Sequence, residues 1–243
     1  MDMTMVFAVL VAAVSFILSA AAGMGGSLVI VPAMVLLFGA WHGVALSAVL
    51  LACNNVAKVA VYWKTIPFGK SLWVLLLTMV GALAGATLLI QMSERVVYVG
   101  VVIAVVGGLI LERRSCTGVH LPVAVDRTLS PVLAFFAGAT SGFTGTSGPL
   151  KGMAIRSLRL DRMHFVGAAS LVSLGGDMTK AAVFSQASLL NATAWKIVLA
   201  ALPLMPLASL LGRQINRKLG ERAYAVLFWT VMAGYTVRLA WLW

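Results

Sequence analysis

The sequence predicts an all-α polytopic membrane protein made of two inverted-topology repeats, each with a glycine-broken helix pair followed by three transmembrane helices. Three observations carry that prediction. Apolar runs recur along the chain, a glycine-rich break near the start returns 122 positions later, and the basic loop residues fall almost entirely on one side.

Composition excludes a soluble fold. Of 243 residues, 61% are hydrophobic and only 10% are charged, and the mean hydropathy is +1.02. A soluble domain carries about a quarter charged residues, and apolar runs of about 20 residues match the hydrocarbon thickness of a bilayer. In a soluble chain the net charge of +11 would suggest nucleic acid. Here the basic residues sit in short loops between apolar runs, as the bias of Lys and Arg toward cytoplasmic loops demands. Nucleic acid is therefore not expected as a partner, although the same charges would attract an anion. Cys53 lies in an apolar run and Cys116 in the central loop, which suggests neither disulfides nor a metal cluster. No cofactor motif is present: Gly69-Lys70-Ser71 lacks the earlier glycine of a phosphate-binding loop. Asn191-Ala192-Thr193 fits a glycosylation acceptor pattern by sequence only. The first apolar run has no basic residues before it, only Asp2, so it reads as part of the fold and not as a signal peptide.

In order, the apolar segments are Met5–Ala22, Leu28–Ala40, Val44–Tyr62, Ser71–Ile90 and Val96–Leu111. A polar connector follows, then Pro131–Phe143, the more polar Leu150–Leu160, Phe165–Phe184, Ala192–Leu211 and Ala223–Trp243. This divides the chain into a first membrane repeat (1–111), a cytoplasmic connector (112–130) and a second membrane repeat (131–243). At a shift of 122, Ser19 matches Ser141, Gly23 matches Gly145, Gly26 matches Gly148, His42 matches His164, Lys58 matches Lys180 and Trp73 matches Trp195. At a shift of 127, Glu94-Arg95 matches Glu221-Arg222. A duplication is the simplest account of such matches at a constant period.

Loop charge sets the orientation of the halves. With an odd number of crossings in each half, one face receives Lys64, Lys70, Arg113, Arg114, Arg127, Arg156, Arg159, Arg162, Arg213, Arg217, Lys218 and Arg222, and the other only Arg95 among loop residues. An even number abolishes the bias. The halves are therefore expected to be inverted, with the basic face cytoplasmic and both termini outside. The segment after each break is short or charged: Leu28–Ala40 is too short to cross comfortably, and Leu150–Leu160 holds Lys151, Arg156 and Arg159. Each pair around a break either dips in and returns or crosses with tilt, and both options keep the odd parity.

The breaks carry the expected chemistry. Non-helical backbone at membrane depth is tolerated only where it is buried in protein or lines a cavity. Gly23, Gly25 and Gly26, and Gly145 and Gly148 in the second half, permit such backbone. A helix restarting at Ser27 would aim free N–H groups and its positive dipole end at the break, and the Thr146-Ser147 segment stands opposite in the second half. Two such ends facing one cavity would bind an anion; close packing of small residues is the alternative use of these glycines. Asn54, Asn55 and Lys58 share one helical face, matched by Gly176, Asp177 and Lys180. Lys58 and Lys180 are candidate substrate ligands, against snorkelling for Lys58 and a local pair with Asp177 for Lys180. Asp177 is the one carboxylate expected within the bundle and a candidate for proton coupling. His42 and His164, which begin equivalent segments, are weaker coupling candidates because a His at a membrane boundary is usually interfacial. Gly81-x-x-x-Gly85 reads as a helix-packing face.

With these residues in place, the chain resembles a known family. Ser19–Pro32, with its Gly-x-Gly-Gly and apolar-Pro stretch, resembles the first signature of the TauE/SafE sulfite exporter family, and Ser141–Leu150 resembles the second. The resemblance spans essentially the whole chain and implies export of a small anion such as sulfite or an organosulfonate, with no ATP-hydrolysing machinery in the same chain. Ser27 stands where family members often carry a third consecutive glycine, and basic residues around Lys151 replace a proline. Two other readings compete. Two His and one Asp would suit a divalent-metal transporter. Gly145-Thr146-Ser147-Gly148 with His164 resembles a rhomboid-type Ser–His protease. Only 17 residues separate Ser147 from His164, and the repeat explains the motif without catalysis. The expected partners are thus a small anion and the lipid bilayer, and nothing in the sequence sets an oligomeric state.

Overall fold

The structure is a computed structural model that describes residues 3–22, 26–116, 129–146 and 148–218. Among the described residues, ten α-helices follow one another: α1 (Met3–Ala22), α2 (Gly26–Phe38), α3 (Ala40–Tyr62), α4 (Phe68–Gln91), α5 (Glu94–Cys116), α6 (Ser130–Thr144), α7 (Gly148–Arg156), α8 (Arg162–Gln186), α9 (Ala192–Ala201) and α10 (Leu204–Lys218). The final expected segment, Ala223–Trp243, lies outside the described residues.

Stretches Met3–Ala21, Ala40–Thr65 and Phe68–Gln91 are each long and apolar enough to cross a membrane. On α4, Leu72, Leu76, Val80 and Leu83 remain about half exposed. Large apolar side chains turned outward in this way suit contact with lipid and not water. The helices after the two breaks are short. The 13 residues of α2 extend about 20 Å, and the 9 of α7 about 14 Å. Neither reaches across ~30 Å of hydrocarbon on its own, and each packs back against the helix before its break.

One expectation needs correction. The stretch Ala192–Leu211 is not a single helix. Ala192–Ala201 and Leu204–Ile215 meet at 47°, because Pro203 between them can neither donate a backbone hydrogen bond nor accommodate a continuing helix. Helix α5 continues to Cys116, past the end of the apolar run at Leu111. The Asn191-Ala192-Thr193 pattern has a structural use: the Asn191 side chain accepts the Ala194 N–H at 2.8 Å and caps α9.

Small residues bring helices into backbone contact. Gly81 and Gly85 of α4 lie against the Phe135 and Ala139 carbonyls of α6, while Gly138 and Gly142 of α6 lie against Thr78 and Ala82 of α4. The small-residue face expected at Gly81 and Gly85 therefore exists, and its partner is a second one. The α1–α10 contact repeats the theme. A Cβ on Gly212 would stand 2.8 Å from the Ile17 carbonyl and 2.9 Å from the Ala21 nitrogen. Gly212 follows Gly85 by 127 positions, and Ala139 and Phe143, which Gly85 meets, follow Ile17 and Ala21 by 122.

At the centre, α3 and α8 lie side by side and run in opposite directions. His42 near the start of α3 bonds the Leu189 carbonyl just beyond the end of α8 at 2.8 Å. Asn55 and Asp177 meet in the middle at 2.7 Å. Beyond the end of α3, the Thr65 carbonyl sits against Gly167 near the start of α8, where a Cβ would come within 2.6 Å.

Candidate functional site

The site begins with the two helix ends left by the breaks. Gly145 ends α6 in a left-handed conformation (φ 79°), and its N–H closes on the Ser141 carbonyl at 2.8 Å. A side chain there would be strained and would also press on Val31. Gly26 opens α2 and is constrained by space: a Cβ would lie 2.6 Å from that of Ser19 and 3.1 Å from the Ser15 carbonyl. Ser15 in turn donates to the Gly26 carbonyl at 2.7 Å, which pins the restart of α2 onto α1. The two breaks touch, with the Ser27 and Thr146 hydroxyls 3.2 Å apart. Gly23, Gly25 and Ser147 lie outside the described residues, and Gly148 contributes the first residue of α7.

Around this junction the buried polar groups form one cluster. Lys58, 1% exposed, donates to the Ser19 hydroxyl at 3.0 Å. Lys180, 0% exposed, donates to the Ser141 hydroxyl at 2.8 Å. In both bonds the serine precedes the lysine by 39 residues, and the second pair lies 122 positions after the first. Asn55 donates to Asp177 at 2.7 Å, and these partners are also 122 apart. Lys180 is 2.6 Å from the other Asp177 oxygen, the local pair expected as its alternative role, whereas Lys58 is buried and does not snorkel to the surface.

The environment of Asn54 is different. It is 0% exposed, and among the described residues neither its amide nitrogen nor its amide oxygen has a partner; the Asn55 amide oxygen has none either. A buried polar group left in this way costs about 1–3 kcal/mol. Such groups in a native protein call for a reason, and a transported ligand is one.

Sequence reasoning missed several members of the cluster. Lys151 of α7, expected only as an awkward charge in a short segment, turns inward and donates to Ser173 of α8 at 2.7 Å. Ser19 and Ser141 had a signal, since each lies 39 residues before a matched lysine. Lys151 had none, because its counterpart 122 positions earlier is Val29.

The two candidate histidines do not join this cluster. His42 is held by the Leu189 carbonyl and His164 by Asp161, both in exposed positions. Each stands 13 residues before Asn55 or Asp177 on its helix, about 20 Å along the axis. The set of two His and one Asp imagined for a metal is therefore not assembled, and Asp177 spends its oxygens on Asn55 and Lys180.

A family model described as sulfite exporter TauE/SafE matches residues 7–239, nearly the whole chain. The chain belongs to the TauE/SafE family. No curated protein and no solved structure matches it. A TauE/SafE protein is a membrane transporter and not an enzyme, and the family implies sulfite or related anions as cargo. The protease reading of Ser147 and His164 is thereby overturned. In this TauE/SafE chain, His164 pairs with Asp161 at the helix start, and Thr146 beside Ser147 meets Ser27 of the other break.

Proposed function

We propose that this chain is a secondary transporter that exports a small anion of the sulfite or organosulfonate class through the cluster where the two glycine breaks meet. The observation that carries the reading is the twin arrangement of Lys58 on Ser19 and Lys180 on Ser141, buried beside Ser27 and Thr146. Ionisable groups are expensive inside a bilayer and are found there where a substrate or ion path needs them. Hydroxyls and helix N-termini at the breaks add donors that suit oxyanions.

Alternating access between two inverted repeats accounts for the architecture. The opposed α3 and α8 descend from segments matched at one shift, and Asn55 and Asp177, matched residues, touch at their crossing. That is what a two-fold axis lying in the membrane plane would produce. The contacts also agree with the orientation read from loop charge. His42 reaches Leu189 between segments assigned to the outside. On the basic side, Arg213 reaches the Val61 carbonyl at 3.2 Å near Lys64. Lys70, Arg159 and His164 line one open pocket of about 540 Å³ on that same side. Asp177 is the natural proton carrier, since protonating it would release Lys180.

Flux into proteoliposomes tests the reading, with sulfite, organosulfonates, sulfate and divalent metals supplied with and without a pH gradient. Anion flux that Lys58→Ala and Lys180→Ala abolish is expected. Flux of metals alone would overturn the proposal.

A further inference from the structure

The cluster holds more positive than negative charge, and the excess lies on one side of the α3–α8 crossing. Among the described residues it contains three ammonium groups, of Lys58, Lys151 and Lys180, and one carboxylate, of Asp177. The carboxylate is committed to Lys180 at 2.6 Å. Among the described residues, Lys58 and Lys151 have only serine hydroxyls as hydrogen-bonding partners, at 3.0 and 2.7 Å.

Position follows from the antiparallel register. Asn55 faces Asp177 at the crossing. Lys58 lies one turn beyond Asn55 toward the Tyr62 end of α3, and Ser173 lies one turn before Asp177 toward the start of α8. These two helix ends are neighbours, as the Thr65–Gly167 contact shows. Lys58 and the Ser173-bound Lys151 therefore share one side of the crossing, whereas Lys180 with its carboxylate lies on the other. Asn54, with its unpartnered amide, is one helical turn from Lys58 on the same face of α3.

On this basis we infer that Lys58 and Lys151 together form the anion seat, with the Asn54 amide as a neutral donor, and that Lys151 selects anions carrying two negative charges over those carrying one. This rests on the proposed anion transport and refines it, since Lys180 then serves as the counter-ion of Asp177 and not as a direct ligand. The repeat makes the seat one-sided. The positions equivalent to Lys151 and Ser173 are Val29 and Leu51, which are 1% and 3% exposed in the apolar core. A second ammonium is thus available on the side toward the basic loops and absent from the other. Two ammonium groups facing one seat repel until a counter-charge enters.

The test compares sulfate, a dianion across the working pH range, with methanesulfonate, a monoanion of similar shape, in proteoliposome flux and in thermal stabilisation of the purified protein. The wild type is expected to prefer sulfate at least tenfold. Lys151→Gln should bring that ratio near one by lowering sulfate flux far more than methanesulfonate flux, Lys151→Arg should keep the preference, and Ser173→Ala should erode it partly. Retention of the full preference by Lys151→Gln would overturn the inference and leave anion transport standing. If Lys151→Gln fails to assemble, an unchanged preference in Ser173→Ala overturns it instead. A wild type that moves neither anion, nor sulfite, removes the transport reading and this inference with it.

Discussion

At the residue scale, the cluster concentrates costs that a purely structural bundle would avoid. Asn54 is sealed from solvent with both amide atoms unpartnered, and a group in that state is worth more to function than to stability. Asn54→Leu is expected to raise the melting temperature in detergent while lowering anion flux at least tenfold. Lower stability in the variant would mean that Asn54 is structural. Asp177→Asn is expected to act oppositely. It strands the Lys180 ammonium, and breaking a buried pair from one side costs about 3–5 kcal/mol, so thermal unfolding should shift down markedly. Residual flux in that variant should lose its response to a pH gradient; an unchanged response would remove Asp177 from coupling. Gly26→Ala places a methyl within 2.6 Å of the Ser19 Cβ, disturbing the hydroxyl that receives Lys58. An overpacked position of this kind costs about 1–3 kcal/mol, and lower flux with a modest loss of thermal stability is the expected readout.

At the element scale, the breaks and the small-residue faces do different jobs. The breaks end helices so that hydroxyls and helix termini meet at Ser27 and Thr146. The glycines of α4 and α6 remove side chains so that long helices can touch backbone to backbone. Gly85→Leu must push the Ala139 carbonyl away, and is expected to abolish the monodisperse species seen on size exclusion. Much of this was legible in advance. The short α2 and α7, the Gly81 and Gly85 face and the paired breaks all follow from glycine spacing and apolar length. The bend between α9 and α10 could have been read from Pro203 but is masked by an unbroken apolar run. The helical end of α5 is less legible, because Glu112, Arg113 and Arg114 look like loop, whereas a helix can carry such residues past the end of its apolar stretch.

At the scale of the whole molecule, orientation is the property most open to direct test. In a background without Cys53 and Cys116, single cysteines at Lys64 and Arg159, both exposed, should react with an impermeant thiol reagent from one membrane face. Cysteines at Ser93 and Ser188, also exposed, should react from the other. Labelling of Lys64 and Arg159 positions from opposite faces would contradict the inverted arrangement.

The sequence by itself determined that the chain is a helical membrane protein, that its two halves match in sequence, and that Lys58, Lys180 and Asp177 fall within its apolar segments. Composition, periodicity and spacing are local properties, and helices in a bilayer obey them closely because their backbone has no other partner for its hydrogen bonds. Only the tertiary structure decided which buried charges meet. It set Asn55 against Asp177, gave Lys180 the carboxylate and turned Lys151 inward to Ser173, while leaving His42 and His164 at the helix ends. Pairing between distant helices depends on their crossing and rotation, and no periodicity within one segment encodes those.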